Sequence, residues 1–268
     1  MDLGILRGWL EENSGVLTCP EARAIGLTPP DLQSAARGGV LDRVCRGAYV
    51  DAKAVAAADP EARHRMRLHA VLRSQPDRLI ATHTSAALLW DLPVSYAYLD
   101  RVHVARRQAR GTTRRYAVHT LHEGYSPAAS PSTNGIPAVC AAVAVLGTAF
   151  VGGVKPGIVA ADAALRQQVT SRDELEVWMA ELERTPGMAA ARAAVAASSP
   201  SAESPGESLL RLILTTAGLS VIPQFTIRDP EGQFVARVDF FLPELHVVVE
   251  FDGATKYAAP SGGPDTLF

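Results

Sequence analysis

Near the C-terminus, apolar and acidic residues alternate in a way that strongly restricts the fold of this chain. Successive side chains of a β-strand point to opposite faces, so Glu250 and Asp252 in the segment VVVEFDG lie on one face. If the chain turns back over four residues before this segment, Leu242 pairs with Val247 and Asp239 lies opposite Glu250. Directly opposed Cβ atoms of an antiparallel pair are roughly 4.5–5.5 Å apart. The pattern therefore predicts a β-hairpin with three carboxylates on one face and apolar side chains on the other.

A helix and a further strand are expected before this hairpin. Ser204 is a good N-cap, Pro205 fits the first helical position, and Gly218 can end the helix after about three turns. Glu207 occupies the capping-box position of the same helix. The segment VIPQFTIR favours a strand, and the turn sequence DPEG separates it from the hairpin. A helix followed by a meander of three strands is the predicted arrangement.

Three carboxylates on one face indicate either a metal site or a solvated surface. Like charges this close repel strongly unless a cation lies between them. Oxygen ligands select Mg²⁺ or Mn²⁺, and a water molecule on such an ion can attack a phosphodiester. Residues 203–268 hold nine acidic and four basic residues, a local charge of −5. In the alternative interpretation the acids only face solvent, Glu207 only caps its helix, and Lys256 is a surface lysine rather than a phosphate contact.

The first 51 residues predict three short helices followed by a β-hairpin. The spacing of apolar residues in LGILRGWLEEN and CPEARAIG is typical of helices. In TPPDLQSAARGG, Thr28 is the expected N-cap, two prolines follow it, and two glycines end the helix. The segment VLDRVCRGAYV alternates apolar and polar residues, as the two strands of a small wing would.

Residues 101–115 are the most basic part of the chain. They contain no acidic residue and six arginines, namely Arg101, Arg106, Arg107, Arg110, Arg114 and Arg115. Such a cluster indicates binding to phosphate groups or to an acidic partner. The alternative is a solvated edge hairpin, on which charged side chains are common.

Other catalytic and cofactor motifs are absent from the sequence. It contains no GxSxG, GxxxxGK[ST] or GxGxxG segment. His119 and His122 precede Glu123, but without a cysteine or a third ligand nearby this group does not predict a metal site.

The composition is that of a folded cytoplasmic protein. Of the 268 residues, 47% are hydrophobic and 20% are charged, which allows one large or two modest domains. The net charge of −2 means that any contact with nucleic acid must come from local patches. Three distant cysteines argue against a disulfide scaffold and favour a reducing compartment. The uncharged residues 136–154 are long enough to span a bilayer, but their Ala, Val and Gly content favours a buried helix, a strand or both.

The C-terminal residues resemble the PD-(D/E)XK nuclease superfamily, in particular the bacterial families similar to the very-short-patch-repair endonuclease. The resemblance implies that Asp239 and Glu250 bind Mg²⁺ (or Mn²⁺), that Glu207 assists the ion or its water, and that Asp252 and Lys256 complete the catalytic set. Asp252 departs from the pattern because many members have lysine there, and Lys256 stands where these relatives often have histidine. Too few residues follow for the final helix and strand of the superfamily, so we expect the nuclease-like domain to be truncated at its C-terminus.

The N-terminal and middle parts resemble the antitoxins of the AbiEi type. The likeness rests on residues 15–50, which close with the R-G-x-Y element at Arg46, and on the segments HTSAALLWDLP and NGIP. It implies a winged helix, whose recognition helix lies in the DNA major groove and whose wing contacts the backbone. The expected DNA contacts are Gln33, Ser34 and Arg37 on the helix, Arg43 and Arg46 on the wing, and Arg106, Arg107, Arg110, Arg114 and Arg115 from the basic segment. The first 50 residues hold five arginines against six acids, so a domain that only binds protein is the alternative.

Together these patterns predict a bacterial α+β or α/β protein with several domains. The expected layout is a winged helix at 1–51, a mixed α/β, AbiEi-like middle domain at 59–197, a linker at 198–206 and an α-β-β-β nuclease-like domain at 204–268. The expected function is that of a DNA-associated protein with a Mg²⁺-dependent endonuclease-like domain. The alternative is a non-enzymatic regulator of the antitoxin type that binds DNA and a toxin partner, and a scaffold without either activity is a third interpretation. No contact with a membrane is expected.

Overall fold

The computed structural model describes the backbone of residues 2–76, 78–107, 113–122, 132–133 and 135–252, and their side chains except for 132–133. The chain divides into two compact units. One comprises Met1–Asp91 and Ser95–Ala144, and the other comprises Leu92–Val94 and Val145–Phe268. With 11 α-helices and 12 strands in the described residues, the chain is a mixed α/β protein, which confirms the expected α+β class. The finer domain layout stays a prediction.

Three helices and a small sheet form the beginning of the first unit. The helices are α1 (Leu3–Glu12), α2 (Cys19–Ala24) and α3 (Pro29–Arg37), and the strands are β1 (Val16–Thr18), β2 (Leu41–Cys45) and β3 (Ala48–Asp51). The three predicted helices and the hairpin are present, and Thr28 caps α3 by accepting a hydrogen bond from the N–H of Asp31. The sequence does not predict β1, which pairs with β3 to give the antiparallel order β1-β3-β2.

A four-stranded sheet and three helices complete most of the first unit. The elements are α4 (Ala52–Ala57), α5 (Pro60–Ser74), β4 (Leu79–Ala81), α6 (His83–Leu89), a short 3₁₀ turn (Tyr96–Tyr98), β5 (Val102–Arg106), β6 (Arg114–Arg115), β7 (His119–His122), β8 (Ser132–Thr133) and β9 (Ile136–Pro137). The strand order is β4-β5-β7-β6, in which β5 and β7 run parallel and the outer pairs run antiparallel. Helix α5 packs against strands of both sheets and so joins them.

The uncharged segment 136–154 forms a short strand and a buried helix. It contains β9 and α7 (Ala141–Gly152), and Gly153, with φ of 82°, separates α7 from the next helix. Residues 141–149 of α7 are buried, as expected for a segment without charges. In the part of the chain that the structure describes, no helix is long and apolar enough to span a membrane.

Four further helices precede the C-terminal sheet in the second unit. They are α8 (Val154–Arg166), α9 (Arg172–Glu181), α10 (Met188–Ala197) and α11 (Pro205–Thr216). Helix α8 lies close to both α7 and α10 at Gly157, where an added Cβ would lie 2.7 Å from the Cβ of Ala149 on α7 and 2.8 Å from that of Ala194 on α10. Helix α11 is joined to α8 by a buried ion pair in which Arg211 donates to Asp162 over 2.6 Å.

The C-terminal sheet is an antiparallel meander of three strands. The strands are β10 (Ile222–Arg228), β11 (Phe234–Leu242) and β12 (Val247–Val249), in the order β10-β11-β12. Leu242 pairs with Val247, as the sequence predicts, and Phe240 pairs with Val249. The side chains of Val238, Phe240 and Leu242 are buried, so this face of β11 contributes to the core and the alternate residues point away from it.

Candidate functional site

Two of the predicted carboxylates meet at one end of the C-terminal hairpin. Asp239 lies opposite Glu250, one position beyond the pair of Phe240 and Val249 that ends the ladder between β11 and β12. The Oδ2 atom of Asp239 accepts a hydrogen bond of 2.7 Å from the backbone N–H of Phe251. This bond fixes the Asp239 carboxylate against the chain that carries Glu250. We call Glu207, Asp239, Glu250 and Asp252 the carboxylate rim.

The pKa of Glu250 shows that the two carboxyl groups interact. Desolvation raises this pKa above its ordinary value, and the negative charge of Asp239 and a side-chain hydrogen bond with it raise the pKa further. The charge of Asp252 acts in the same direction. A cation bound between the two carboxyl groups would offset this repulsion.

Glu207 belongs to the rim but is held mainly by the helix that it caps. It is buried, and its Oε1 accepts from the hydroxyl of Ser204 while its Oε2 accepts from the N–H of Glu203. A third bond of 3.1 Å comes from the side-chain amide of Gln224 on β10. By the register of β10 and β11, Gln224 lies opposite Asp239, so its amide links the helix cap to the strand that carries Asp239.

Gln224 is a residue that the sequence interpretation missed. Its backbone has a φ of 51°, which is uncommon for a residue other than glycine and indicates local strain. Only the unexplained polar residue in the strand segment VIPQFTIR could have drawn attention to it. Its role depends on the register between β10 and β11, which local periodicity does not determine.

Close packing at Gly206 brings the beginning of α11 to the end of the hairpin. A Cβ on Gly206 would lie only 2.0 Å from the Cε1 atom of Phe251. Only glycine therefore allows the ring of Phe251 to lie on the first turn of α11, next to Glu207. The rim is thus assembled from one helix end and two strands.

The remaining rim residues do not complete the predicted cluster. Asp252 is exposed, and its charge acts on Glu250. In the described part of the chain, the rim carboxylates do not form a group of three whose oxygen atoms all lie within 4.8 Å of one another. Lys256, the fifth predicted catalytic residue, lies outside the described residues.

The residues predicted to contact DNA lie on exposed parts of the first unit. Gln33, Ser34 and Arg37 are exposed on α3, and Arg43 and Arg46 are exposed on the hairpin of β2 and β3. Leu32 and Ala35 of α3 are buried, so this helix presents one polar face to solvent.

A cleft joins the arginines of the hairpin to the basic segment. It has a volume of about 480 Å³ and is lined by Arg43, Arg46, Arg106, Tyr116 and His119, among others. The rings of Tyr116 and His119 are stacked with their centroids 4.6 Å apart. Among the described residues, the buried Nδ1 atom of His119 has no hydrogen-bond partner. We call this feature the arginine cleft.

The other arginines of the basic segment have different surroundings. Arg101 donates a hydrogen bond of 2.6 Å to the carbonyl of Tyr116, so it holds the segment together. Arg107, Arg114 and Arg115 are exposed. Arg110 lies outside the described residues.

Three histidines from separate elements form a second polar cluster in the first unit. His83 begins α6, His103 lies on β5 and His122 ends β7. One nitrogen from each ring lies within 4.8 Å of those of the other two, and this is the group of potential metal ligands in the described residues. We call these residues the histidine cluster.

The histidine cluster contains His122 but not His119, although the two residues are neighbours in the sequence. In β7, His119 and His122 are three residues apart and therefore point to opposite faces of the sheet. His122 lies on the face of His103 because it pairs with Ala105, two residues beyond His103 on the parallel strand β5. No local signal predicts this group, since its members meet only through the pairing of β5 with β7.

Burial keeps the histidine cluster uncharged at neutral pH. Burial, followed by the nearby His122, lowers the pKa of His103 to about 3. Burial also lowers the pKa of His122 to about 4 and holds the pKa of His83 well below its ordinary value. All three imidazoles are neutral near pH 7, and a neutral imidazole has one nitrogen that can act as a ligand.

Comparisons with known proteins show no family for the chain. No protein-family model matches it. Two curated relatives, uncharacterized proteins from two strains of Mycobacterium tuberculosis, are each 34% identical over 101 residues. The matched segment covers 37% of this chain and 37% of each relative. The names of these relatives state no activity, ligand or partner.

Proposed function

We propose that this chain is a DNA-associated protein whose C-terminal domain is a Mg²⁺-dependent, nuclease-like domain of the PD-(D/E)XK type. The observation that carries the proposal is the meeting of Asp239 and Glu250 across the hairpin of β11 and β12. Two opposed carboxylates suit a hard divalent cation, since such a cation prefers oxygen ligands. The two residues are therefore the proposed metal ligands.

Each residue of the rim has a role in this proposal. When bound, Mg²⁺ or Mn²⁺ supplies a Lewis acid and a water molecule of lowered pKa. The N–H of Phe251 orients the carboxylate of Asp239, and Gln224 orients that of Glu207. Asp252 can accept a proton, but unlike a lysine at the same position it cannot neutralise the charge of a phosphate.

Plasmid cleavage tests the nuclease proposal. The purified chain is incubated with supercoiled plasmid and Mg²⁺ or Mn²⁺, together with the variants Asp239→Asn and Glu250→Gln. We expect the parent chain to nick the plasmid and both variants to lose this activity while their circular dichroism spectra stay unchanged. Glu231→Gln changes an exposed acid in the turn between β10 and β11 and is the matched control. Equal nicking by all variants would contradict a site at the rim.

A non-enzymatic regulator of the antitoxin type is the second candidate function, and the arginine cleft favours it. The cleft gathers Arg43 and Arg46 of the hairpin with Arg106 of the basic segment, although the chain as a whole carries a net charge of −2. Arginine side chains bind phosphate oxygens well, so DNA binding does not require cleavage. A toxin partner belongs to this second proposal.

DNA binding without cleavage would distinguish the two functions. Gel-shift titrations with the promoter DNA of the chain's own gene compare the parent chain with Arg43→Ala, Arg46→Ala and Arg106→Ala. Each loss of a phosphate contact should make the negative slope of log affinity against log salt shallower by about 0.9. Arg7→Ala on α1 is the control, since Arg7 is exposed and does not line the cleft. Equal affinity in all variants would contradict a role for the cleft in DNA binding.

A further inference from the structure

The histidine cluster consists of three imidazoles that the fold brings to one place inside the first unit. His83 and His103 are buried, and His122 is half-buried. The ring centroids of His83 and His122 are 3.8 Å apart, and those of His103 and His122 are 5.2 Å apart. The Nδ1 atom of His103 and the Nε2 atom of His122 are separated by 2.9 Å. The donor atoms of the cluster are therefore three nitrogens and no oxygen.

We propose that His83, His103 and His122 bind a divalent transition-metal ion, and that Zn²⁺ is the ion that fits this set of ligands. Three neutral imidazoles are a common protein ligand set for Zn²⁺, whereas Mg²⁺ and Ca²⁺ take oxygen ligands. The site is separate from the carboxylate rim, and the proposal does not depend on the nuclease function.

The distances between the nitrogens are close to those that zinc requires. Zinc–nitrogen bonds are about 2.0–2.1 Å long, so two ligands at tetrahedral positions are about 3.3 Å apart. The separation of 2.9 Å between His103 and His122 is slightly shorter, and it is spanned by a hydrogen bond between the two rings. The metal takes the place of this proton, which moves to the other nitrogen of its own ring.

The rings must turn when the metal binds. They are nearly parallel, with interplanar angles of 20° to 23°, whereas lone pairs on a shared ion point to one centre. The torsion between Cβ and the ring of histidine is broad, so a rotation about it brings the lone pairs together. A stack of three neutral rings without a metal is the competing interpretation, and the experiment below separates the two.

Neighbouring side chains hold the proposed ligands in place. The Oγ1 atom of Thr82 lies 3.1 Å from the Nδ1 atom of His83. The hydroxyl of Ser85 accepts a hydrogen bond of 2.8 Å from the N–H of His103 and lies 2.8 Å from Nε2 of His64. Such bonds to the groups around the ligands commonly fix metal-binding histidines.

Zinc binding by the untagged chain tests the proposal. The protein is stripped with a chelator, dialysed and titrated with Zn²⁺ in competition with a chromophoric chelator, and its metal content is measured by mass spectrometry. We expect about one ion per chain, and with Co²⁺ the visible absorption bands of a tetrahedral site. The variants His122→Gln and His83→Asn should reduce Zn²⁺ affinity at least ~10-fold.

Controls make the result specific to the cluster. His246→Gln changes a histidine in the turn between β11 and β12, outside the cluster, so this variant should bind Zn²⁺ as the parent chain does. Circular dichroism of each metal-free variant shows whether it has folded, and the two ligand variants provide independent tests. The proposal is overturned if the folded parent chain binds no Zn²⁺ at micromolar free metal, or if both ligand variants bind it as tightly as the parent.

Discussion

Replacing Gly206 with alanine tests the close packing between α11 and the end of the hairpin. An ideal Cβ at this position would lie 2.0 Å from Cε1, 2.1 Å from Cζ and 2.7 Å from Cδ1 of Phe251. Non-bonded carbon atoms prefer about 3.5–4.0 Å, so the ring must move by about 1.5 Å or more. Overpacking costs about 1–3 kcal/mol, and the higher helix propensity of alanine offsets at most about 1 kcal/mol. We expect Gly206→Ala to lower the free energy of unfolding by about 1–2 kcal/mol.

Urea unfolding followed by circular dichroism measures this loss. Gly8→Ala in α1 is the matched control because nothing lies within 4 Å of its Cβ position, so this variant should be unchanged or slightly more stable. In a Phe251→Ala background, Gly206→Ala should cost much less, since the clashing ring is gone.

The same substitution should also disturb the carboxylate rim. Phe251 donates its backbone N–H to Asp239, so a displaced Phe251 weakens the bond that orients this carboxylate. We expect weaker Mn²⁺ binding by calorimetry in Gly206→Ala and no change in Gly8→Ala. A Gly206→Ala chain that equals the parent in both stability and Mn²⁺ affinity would refute the packing described for Phe251.

Three other changes concern stability, and urea unfolding measures each of them. Asp162→Ala leaves the buried guanidinium of Arg211 without its carboxylate, so the free energy of unfolding should fall by about 3–5 kcal/mol. Adding Arg211→Met should restore part of this free energy. A loss below about 1 kcal/mol in Asp162→Ala would contradict the cost expected for an unpaired buried charge. Gly157→Ala places a methyl group 2.7 Å from the Cβ of Ala149 in α7 and 2.8 Å from that of Ala194 in α10, and we expect a loss of about 1–3 kcal/mol. An unchanged stability would show that α8 can move away from both helices without cost. Burial lowers the pKa of His64 below its unfolded value near 6.5, so its contribution to stability is complete above about pH 6.5 and is lost as the pH falls toward the folded pKa. When the pH falls from about 7.5 to about 5.5, the parent chain should therefore lose more stability than His64→Gln does. Equal losses would show that folding does not lower the pKa of His64, so that this residue is protonated in the folded protein at the lower pH.

The sequence by itself predicts the helix caps and the C-terminal hairpin, because these features depend on residues only a few positions apart. Ser204 and Thr28 cap α11 and α3 as expected, because a capping side chain bonds to an N–H only three residues away. The pairing of Leu242 with Val247 follows from strand alternation and a short turn, and it places Asp239 opposite Glu250. The roles proposed for these carboxylates remain predictions.

Only the tertiary structure brings together residues that are distant in the chain. Gln224 reaches Glu207 through the register of β10 and β11, and Arg106 joins the hairpin arginines at a cleft between two sheets. His103 and His122 share a face because β5 pairs in parallel with β7, and His83 joins them from the start of α6. Caps and side-chain periodicity act over a few residues, whereas strand order and register depend on burying apolar surface from the whole unit, so no local pattern specifies these groupings.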